Sequence, residues 1–360
     1  MRRYFNTLGN VILKPLTMRQ FPIHLHLEHT TYCNLDCKFC NRTKYIANSQ
    51  HLSLGKFQEL LHGVRPQKLS LTGIGEPLMH PETGEMIRLA KRQGALVDLV
   101  TNGTLFTPER CREVVESGLD VIRISLDAAT SQTYQTIRGL DVFPKILKGI
   151  RTLVDTKQQL GAQRPFVRLT YVMMKDNLHE IAQTVALGQE LGVDAANFQP
   201  LDLIGIEERR TSLIDGISEK DFSSLIHEAL AESRRVPIDT NLQTIWNKRS
   251  VYWKKYQVIE PYNEGQRRCI FPWFYTYITV NGDVHPCCYL NYGADTIMGN
   301  VFETPFEAIW NRAAYQKFRK VIREGKYPHT MCRFCLSRTL GDMLRDSSAY
   351  VLKLSGMKRS

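Results

Sequence analysis

Six short apolar stretches alternate with helical patterns across residues 21–200, and that alternation leaves few folds open. The stretches are residues 23–28, 68–72, 96–101, 121–126, 167–173 and 195–199. Each is rich in β-branched or aliphatic residues and bounded by Gly, Asn, Asp or Pro, as strands are. Between them, residues 54–63, 82–92, 108–117, 142–158 and 178–191 read as helices. Thr107-Pro108 supplies an N-cap with proline at the first helical position, and Gly118 and Gly192 follow helix ends. Repeated βα units imply a parallel sheet, and right-handed crossovers curl it into an open barrel. The expected class is α/β: a partial (βα)6 parallel barrel followed by a small α+β domain.

Ligands bind at the C-terminal edge of such sheets, so the segments after each strand matter most. The first strand is followed by Cys33-x-x-x-Cys37-x-x-Cys40. Thr72-Gly-Ile-Gly-Glu-Pro77 follows the second, Thr101-Asn102-Gly-Thr104 the third, and Ser125-Leu-Asp127 ends the fourth. Three soft thiolates on one tight loop suit an iron–sulfur cluster or zinc. A four-iron cluster on three cysteines keeps one iron open to a small molecule. No fourth ligand follows at zinc-finger spacing. His24 and His26 alternate in a strand, and with His29 they read as structural.

Composition adds limits. The chain has 360 residues, 43% of them hydrophobic, enough for one large domain and a smaller one. No apolar run reaches membrane-spanning length, and residues 1–20 lack a signal-peptide core and cleavage site, so a cytoplasmic protein is expected. The basic residues Arg2, Arg3, Lys14 and Arg19 leave peripheral membrane association open for that segment, against packing on the domain. Nine cysteines, seven of them in metal-like spacings, fit metal binding better than disulfides in a reducing compartment. Cys111 lies in a predicted helix and reads as a buried small residue. The net charge of +11 suits an anionic partner. Nucleic acid is not expected. The one basic aromatic segment, with Trp246, Tyr252, Trp253 and Tyr256 among Lys248, Arg249, Lys254 and Lys255, reads as a packing helix.

The cysteine loop, with Phe39 before its last cysteine, resembles the signature of the radical S-adenosylmethionine superfamily. The resemblance runs nearly continuously over residues 21–200. It implies that Cys33, Cys37 and Cys40 hold a [4Fe–4S] cluster whose open iron takes the amino and carboxylate groups of S-adenosylmethionine. Phe39 would then lie near the adenine. Gly73-Ile-Gly75-Glu76-Pro77 resembles the family's glycine-glycine-glutamate-proline motif, with isoleucine between the glycines; that motif contacts the methionine amino group. Arg123-Ile-Ser125-Leu-Asp127 resembles the fourth-strand segment that meets the nucleoside or carboxylate. Elementary chemistry agrees. The glycines permit close backbone approach, Glu76 offers a carboxylate to an ammonium group, and Ser125 and Asp127 share a strand face by the period of two. Asn102 is a further cofactor-binding candidate. Arg138, in Tyr134-Gln-Thr-Ile-Arg138-Gly139, can pair with a cofactor or substrate carboxylate, or lie at the surface of a helix end.

A second cysteine group begins at Cys269. A hairpin is expected over residues 274–285 around Asn281-Gly282, a type I′ turn signal. A helix over 305–324 and a Cys332-Arg-Phe-Cys335 knuckle follow. Cys269, Cys287, Cys332 and Cys335 resemble the SPASM/Twitch extension, in the form with one auxiliary [4Fe–4S] cluster. Cys288 stands beside Cys287 as an alternative ligand, and a structural zinc knuckle is the competing reading. The expected division is a basic segment 1–20, the barrel 21–205, a helical linker region 206–265, the auxiliary domain 266–345 and a tail 346–360. The solvated run Glu207–Arg210 falls in the linker, and residues 336–360 are expected to be helical, then frayed.

The resemblance implies reductive cleavage of S-adenosylmethionine and hydrogen abstraction from a C–H bond, with a reductant such as flavodoxin or ferredoxin. A small, possibly phosphorylated substrate is expected, with net oxidation aided by the auxiliary cluster. A peptide substrate is the alternative within the family. A non-catalytic iron–sulfur electron carrier and an RNA-modifying enzyme are the readings of other classes.

Overall fold

The computed structural model describes residues 2–201, 213, 216–257, 269–291 and 293–335. The expected solvated run at 207–210 and the tail at 336–360 lie outside the described residues. The six expected strands form: β1 (His24–Leu27), β2 (Lys68–Leu71), β3 (Leu96–Thr101), β4 (Val121–Ser125), β5 (Phe166–Met173) and β6 (Ala195–Pro200). They pair in parallel, in chain order. Short β7 (Asp239–Thr240) extends the β6 edge. On the other edge, β8 (Tyr275–Ile278) pairs parallel with β1. It then turns antiparallel into β9 (Asp283–His285) and β10 (Gly299–Asn300). The C-terminal hairpin therefore continues the barrel's own sheet, ten strands in all among the described residues.

The helices are α1 (Arg2–Leu13), α2 (Arg42–Tyr45), α3 (Leu54–Val64), α4 (Thr83–Arg92), α5 (Pro108–Glu116), α6 (Ser131–Arg138), α7 (Phe143–Gln159), α8 (Ile181–Glu190), α9 (Glu219–Ser233), α10 (Leu242–Asn247), α11 (Arg249–Gln257), α12 (Phe306–Trp310) and α13 (Ala313–Arg323). Thr107 caps α5 through its hydroxyl, which accepts from the Arg110 N–H at 3.2 Å, and Pro108 is its first residue, as expected. Strand alternation sorts the sheet. Leu25, Leu27, Leu69, Leu71, Leu99, Ile122, Ile124, Leu169 and Tyr171 are fully buried, in one core with helix residues such as Ile146 and Val185. The opposite strand positions carry the polar side chains.

Two local expectations change. Gly282 has φ 88°, but Asn281 does not enter the left-handed region, so the turn is not type I′. It closes from Thr279 C=O to the Gly282 N–H at 2.9 Å, which moves Asn-Gly to the last two positions of a turn. The helix expected over 305–324 is broken between α12 and α13 at Asn311. That residue's side chain accepts from Met18 N–H at 2.7 Å and donates to Met18 C=O at 2.9 Å. The break thus receives the N-terminal segment. Trp273 and Trp310 donate to Pro15 and Gln20 carbonyls, and buried Arg319 donates to Leu16 C=O. Residues 14–20 are stitched to the C-terminal region, while Ile12 and Leu13 of α1 stay exposed. No helix of the described residues is long and apolar enough to cross a membrane.

Candidate active site

The segments that follow β1, β2, β3 and β4 meet at one edge of the sheet. Cys33, Cys37 and Cys40 lie there, with Cys37 buried and the others half-buried. The Cys40 N–H donates to Cys37 C=O at 2.9 Å, which winds the loop tightly. Burial first, then the Glu76 carboxylate, then Cys37 and Cys40 push the Cys33 thiol up to about 11, against a backbone hydrogen bond from Leu35. Two donors already face this sulfur group. Arg138 Nη1 donates to Cys37 Sγ at 3.3 Å, and the Arg42 N–H to Cys40 Sγ at 3.4 Å. Donors aimed at sulfur are what anionic, metal-bound thiolates require, so the residues present fit an iron–sulfur cluster.

Glu76 is 2% exposed, with a pKa raised by burial against three hydrogen bonds that lower it. Its Oε1 accepts from Leu78 N–H (3.0 Å) and the Thr101 hydroxyl (2.6 Å), and Oε2 from Asn102 N–H (2.7 Å). The carboxylate thus ties the ends of β2 and β3 together. A carboxylate offers about four acceptor positions, so one remains on Oε2. Asn102 is tied to the cysteine loop, donating from Nδ2 to Asn34 Oδ1 at 2.9 Å. Pro77 is buried at the start of the 3-10 turn Pro77–Met79.

The glycines serve a different surface from the one expected. A Cβ at Gly75 would press into the Thr30 carbonyl oxygen and lie 2.8 Å from that of Tyr32. One at Gly73 would lie 2.7 Å from Glu28 Cβ. The close approach is to the protein's own cysteine loop and first strand.

Asp127 also departs from the expectation. The strand ends at Ser125, and Asp127 has φ 57°, so the period of two does not carry to it. Its side chain is fully buried, accepts from the Val172 N–H at 2.6 Å and pairs with Arg138. Arg138 ends α6, before Gly139 at φ 83°, and is buried rather than at the surface. It also donates to Ser125 C=O at 3.1 Å and lies 5.1 Å from the Phe39 ring centre. One guanidinium thus joins Phe39, Cys37, Ser125 and Asp127.

In the second group, Cys269, Cys287, Cys332 and Cys335 line one cavity of about 50 Å³, with Phe271, Leu290, Phe318 and Met331. Burial pushes Cys269 up to about 12 and Cys332 to about 11. Four thiols lining one apolar cavity suit the ligand set of a fully ligated cluster. Cys287 lines that cavity, whereas Cys288 meets Tyr275. Cys111 is fully buried in α5, 4.0 Å from Gly149 C=O. His24 meets Ser70 Oγ at 2.8 Å and His26 the Tyr275 hydroxyl at 2.6 Å, so both histidines are engaged within the sheet. Trp246 and Trp253 pack partly buried against the core, as expected of a packing segment.

Several residues escaped the sequence reading. Glu28 directly follows β1 and is 4% exposed; it accepts from Ile74 N–H at 3.0 Å and the Tyr277 hydroxyl at 3.2 Å. Burial raises its pKa, against those bonds. It lines an open cavity of about 460 Å³ with Tyr45, Asn48, Ile74, Asn281 and His285. Its signal was the acid at the last position of a strand, beside the motif edge. Lys68, Asp98, Arg123 and Arg168 were legible only as charges inside apolar strands.

Residues 27–188 match the Radical SAM superfamily, and residues 269–336 an iron–sulfur cluster-binding domain termed SPASM. The tungsten-containing aldehyde ferredoxin oxidoreductase cofactor-modifying protein of Pyrococcus furiosus is 24% identical over 339 residues, 89% of each chain. The AdoMet-dependent heme synthase of Methanosarcina barkeri is 27% identical over 337 residues, covering 89% of this chain and 90% of that one. In fold, the chain is similar to Streptococcus suis SuiB bound to the precursor peptide SuiA, with a TM-score of 0.62 at 15% identity, over 92% of this chain and 80% of that one. Native anSMEcpe with bound AdoMet gives 0.59 at 13%, over 94% and 100%.

Proposed function

The chain belongs to the radical S-adenosylmethionine superfamily, with a C-terminal SPASM-type domain, and from that premise we propose an oxidoreductase that removes hydrogen from a C–H bond of a small, anionic substrate. Its cofactors are S-adenosylmethionine and [4Fe–4S] clusters. When bound, they supply an electron, a 5′-deoxyadenosyl radical, and at the auxiliary centre an acceptor for the electron left on the substrate.

The protein's part is holding and shielding. Cys33, Cys37 and Cys40 are the ligands of the first cluster, and Cys269, Cys287, Cys332 and Cys335 of the second. Glu76, on the loop of Gly73, Gly75 and Pro77, offers its remaining Oε2 acceptor to the methionine ammonium group. Ser125, Asn102 and Phe39 border the nucleoside. Arg138 faces the carboxylate and the Cys37 sulfur together. Asp127 acts through Arg138, as a positioning residue. A flavodoxin or ferredoxin supplies the electron.

The observation that carries the reading is the gathering of three thiols at the sheet edge with Arg138 and Arg42 donating to two of them. The two relatives aligned over most of the chain are named for a cofactor and for heme, which supports a small substrate. A peptide substrate is the second reading. SuiB, similar in fold, was solved with a precursor peptide. The test is anaerobic reconstitution, iron counting, and addition of dithionite and S-adenosylmethionine. 5′-Deoxyadenosine is the expected product. Intact clusters without it would indicate an electron carrier.

A further inference from the structure

The helix that walls the four-thiol cavity carries charge of one sign. Between Arg312 and Lys326 the chain has six arginines and lysines and one acid, Glu324. Buried Arg319 is engaged inward, donating to the Pro272, Leu16 and Trp310 carbonyls. The other five, Arg312, Lys317, Lys320, Arg323 and Lys326, are exposed. Glu324 answers Lys320 and Lys326 only at 3.9 Å and 3.6 Å, and the face keeps a net +4. Helices α4 and α5 show the usual balance. Glu85 meets both Arg88 and Arg92, while Arg110 and Arg112 meet Glu113 and Glu116.

Helical geometry aims this charge outward over the cavity. Tyr315, Phe318, Arg319 and Ile322 form the buried stripe of α13, and Phe318 and Ile322 line the four-thiol cavity. At 3.6 residues per turn, Lys317, Lys320 and Arg323 fall on the opposite side. A body seated on that side is one helix diameter, about 10–12 Å, from the cavity. Lys326 narrows the gap, because it is exposed and also lines the cavity with Tyr327 and Pro328. The first cysteine group offers less. Its loop, residues 33–45, sets Lys38, Arg42 and Lys44 against Asp36, and Lys38 is paired with Asp176 at 2.7 Å.

A surface of one sign steers a partner of the other sign and fixes where it lands. We propose that the outer face of α13, with Lys326, docks an acidic one-electron carrier and sets it against the auxiliary centre rather than the first. One electron crosses, so that carrier and auxiliary centre change oxidation state by one in opposite senses, with no bond or proton moved. The inference rests on the four cysteines holding an iron–sulfur cluster and on the chain exchanging electrons with a ferredoxin- or flavodoxin-type carrier.

The test titrates a plant-type [2Fe–2S] ferredoxin, an acidic carrier, into the anaerobically reconstituted full chain by calorimetry. Binding is expected below about 100 μM at about 0.01 M salt, and at least about tenfold weaker at about 0.15 M, as screening shortens from about 30 Å to about 8 Å. Lys317→Glu with Lys320→Glu raises Kd about tenfold or more at the lower salt, with iron per chain unchanged. Lys145→Glu with Lys148→Glu makes the same charge change at exposed positions of α7, which packs on α5 through Gly149 and Cys111. That pair leaves Kd within about twofold. The proposal is overturned if ferredoxin binds at neither salt, if the α7 pair weakens it as much as the α13 pair, or if the α13 pair binds as wild type does. Lys44→Glu weakening binding more than the α13 pair would put the carrier at the first centre and overturn it equally. The same preparation is assayed for 5′-deoxyadenosine with dithionite, which needs no dock. Product without ferredoxin binding sinks only the docking face, and ferredoxin binding without product sinks only the radical chemistry.

Discussion

Substituting Gly75 by alanine tests whether the glutamate loop and the cysteine loop are one rigid body. Gly75 is not in the left-handed region, so alanine meets no backbone penalty there. Any cost is contact. The new Cβ would press into Thr30 C=O and lie 2.8 Å from Tyr32 C=O, where ordinary contact begins near 3.4 Å. The two loops must then part by at least about 0.6 Å, and neither partner is a flexible side-chain tip. Thr30 bridges His51, the Thr31 N–H donates to Gln50 C=O at 3.0 Å, and the Glu76 N–H donates to Tyr32 C=O at 2.7 Å. Overpacking of this kind costs about 1–3 kcal/mol. Loss of the Glu76 N–H bond adds about 1 kcal/mol. Because Tyr32 adjoins Cys33, the strain falls on the first cluster. Gly55→Ala is the control. It lies in α3 with nothing within 4 Å of the new Cβ, and stabilises by about 0.4–1 kcal/mol. Urea unfolding of the apo chain, with iron per chain after reconstitution, reads both effects. Less the same unfolded-state gain, Gly75→Ala should lower stability by about 1–3.5 kcal/mol and lower bound iron. A Gly75→Ala protein with wild-type midpoint and iron, beside a stabilised Gly55→Ala, would refute the reasoning.

Arg138→Gln should destabilise by about 3–5 kcal/mol, because it strands the Asp127 carboxylate in the interior. Asp127→Asn with Arg138→Gln should cost less than Arg138→Gln alone in the same urea experiment; a larger cost would deny the pairing. Cys287→Ser should remove the auxiliary iron and Cys288→Ser should retain it, as counted by iron analysis and Mössbauer spectra, since only Cys287 lines the four-thiol cavity. Glu28 has a folded pKa raised by burial, so its contribution to stability is present below the unfolded value of 4.5 and lost as pH rises through the folded one. Glu28→Gln removes that loss. Its melting temperature relative to wild type should therefore climb between about pH 4.5 and 8, and a constant difference across that range would contradict a buried, raised carboxyl.

What could be read from the chain depended on how local its cause was. Strands β1 to β6 are legible because each is a short apolar run closed by its own turn residues, and the cysteine spacing needs no tertiary context. Arg138 was half legible: its helix end and Gly139 are local signals, but the Asp127 that meets it depends on a left-handed φ beyond the strand, which no periodicity marks. The two glycines were assigned to a ligand because closeness is all a glycine announces; which surface comes close is a tertiary fact. The break at Asn311 is likewise invisible in a continuous helical pattern, since its partner, Met18, lies 293 residues away. The charged interior was the largest omission, and its cause is instructive. Lys68, Asp98, Arg123 and Arg168 sit in different strands, far apart in sequence, and each alone reads as a strand's single polar position. Only the parallel register places Arg123 opposite Arg168 and Lys68 with Arg123 around Asp98. A single inward charge in a strand is ambiguous; only the pairing of strands shows that Asp98 stands between Lys68 and Arg123 and answers both.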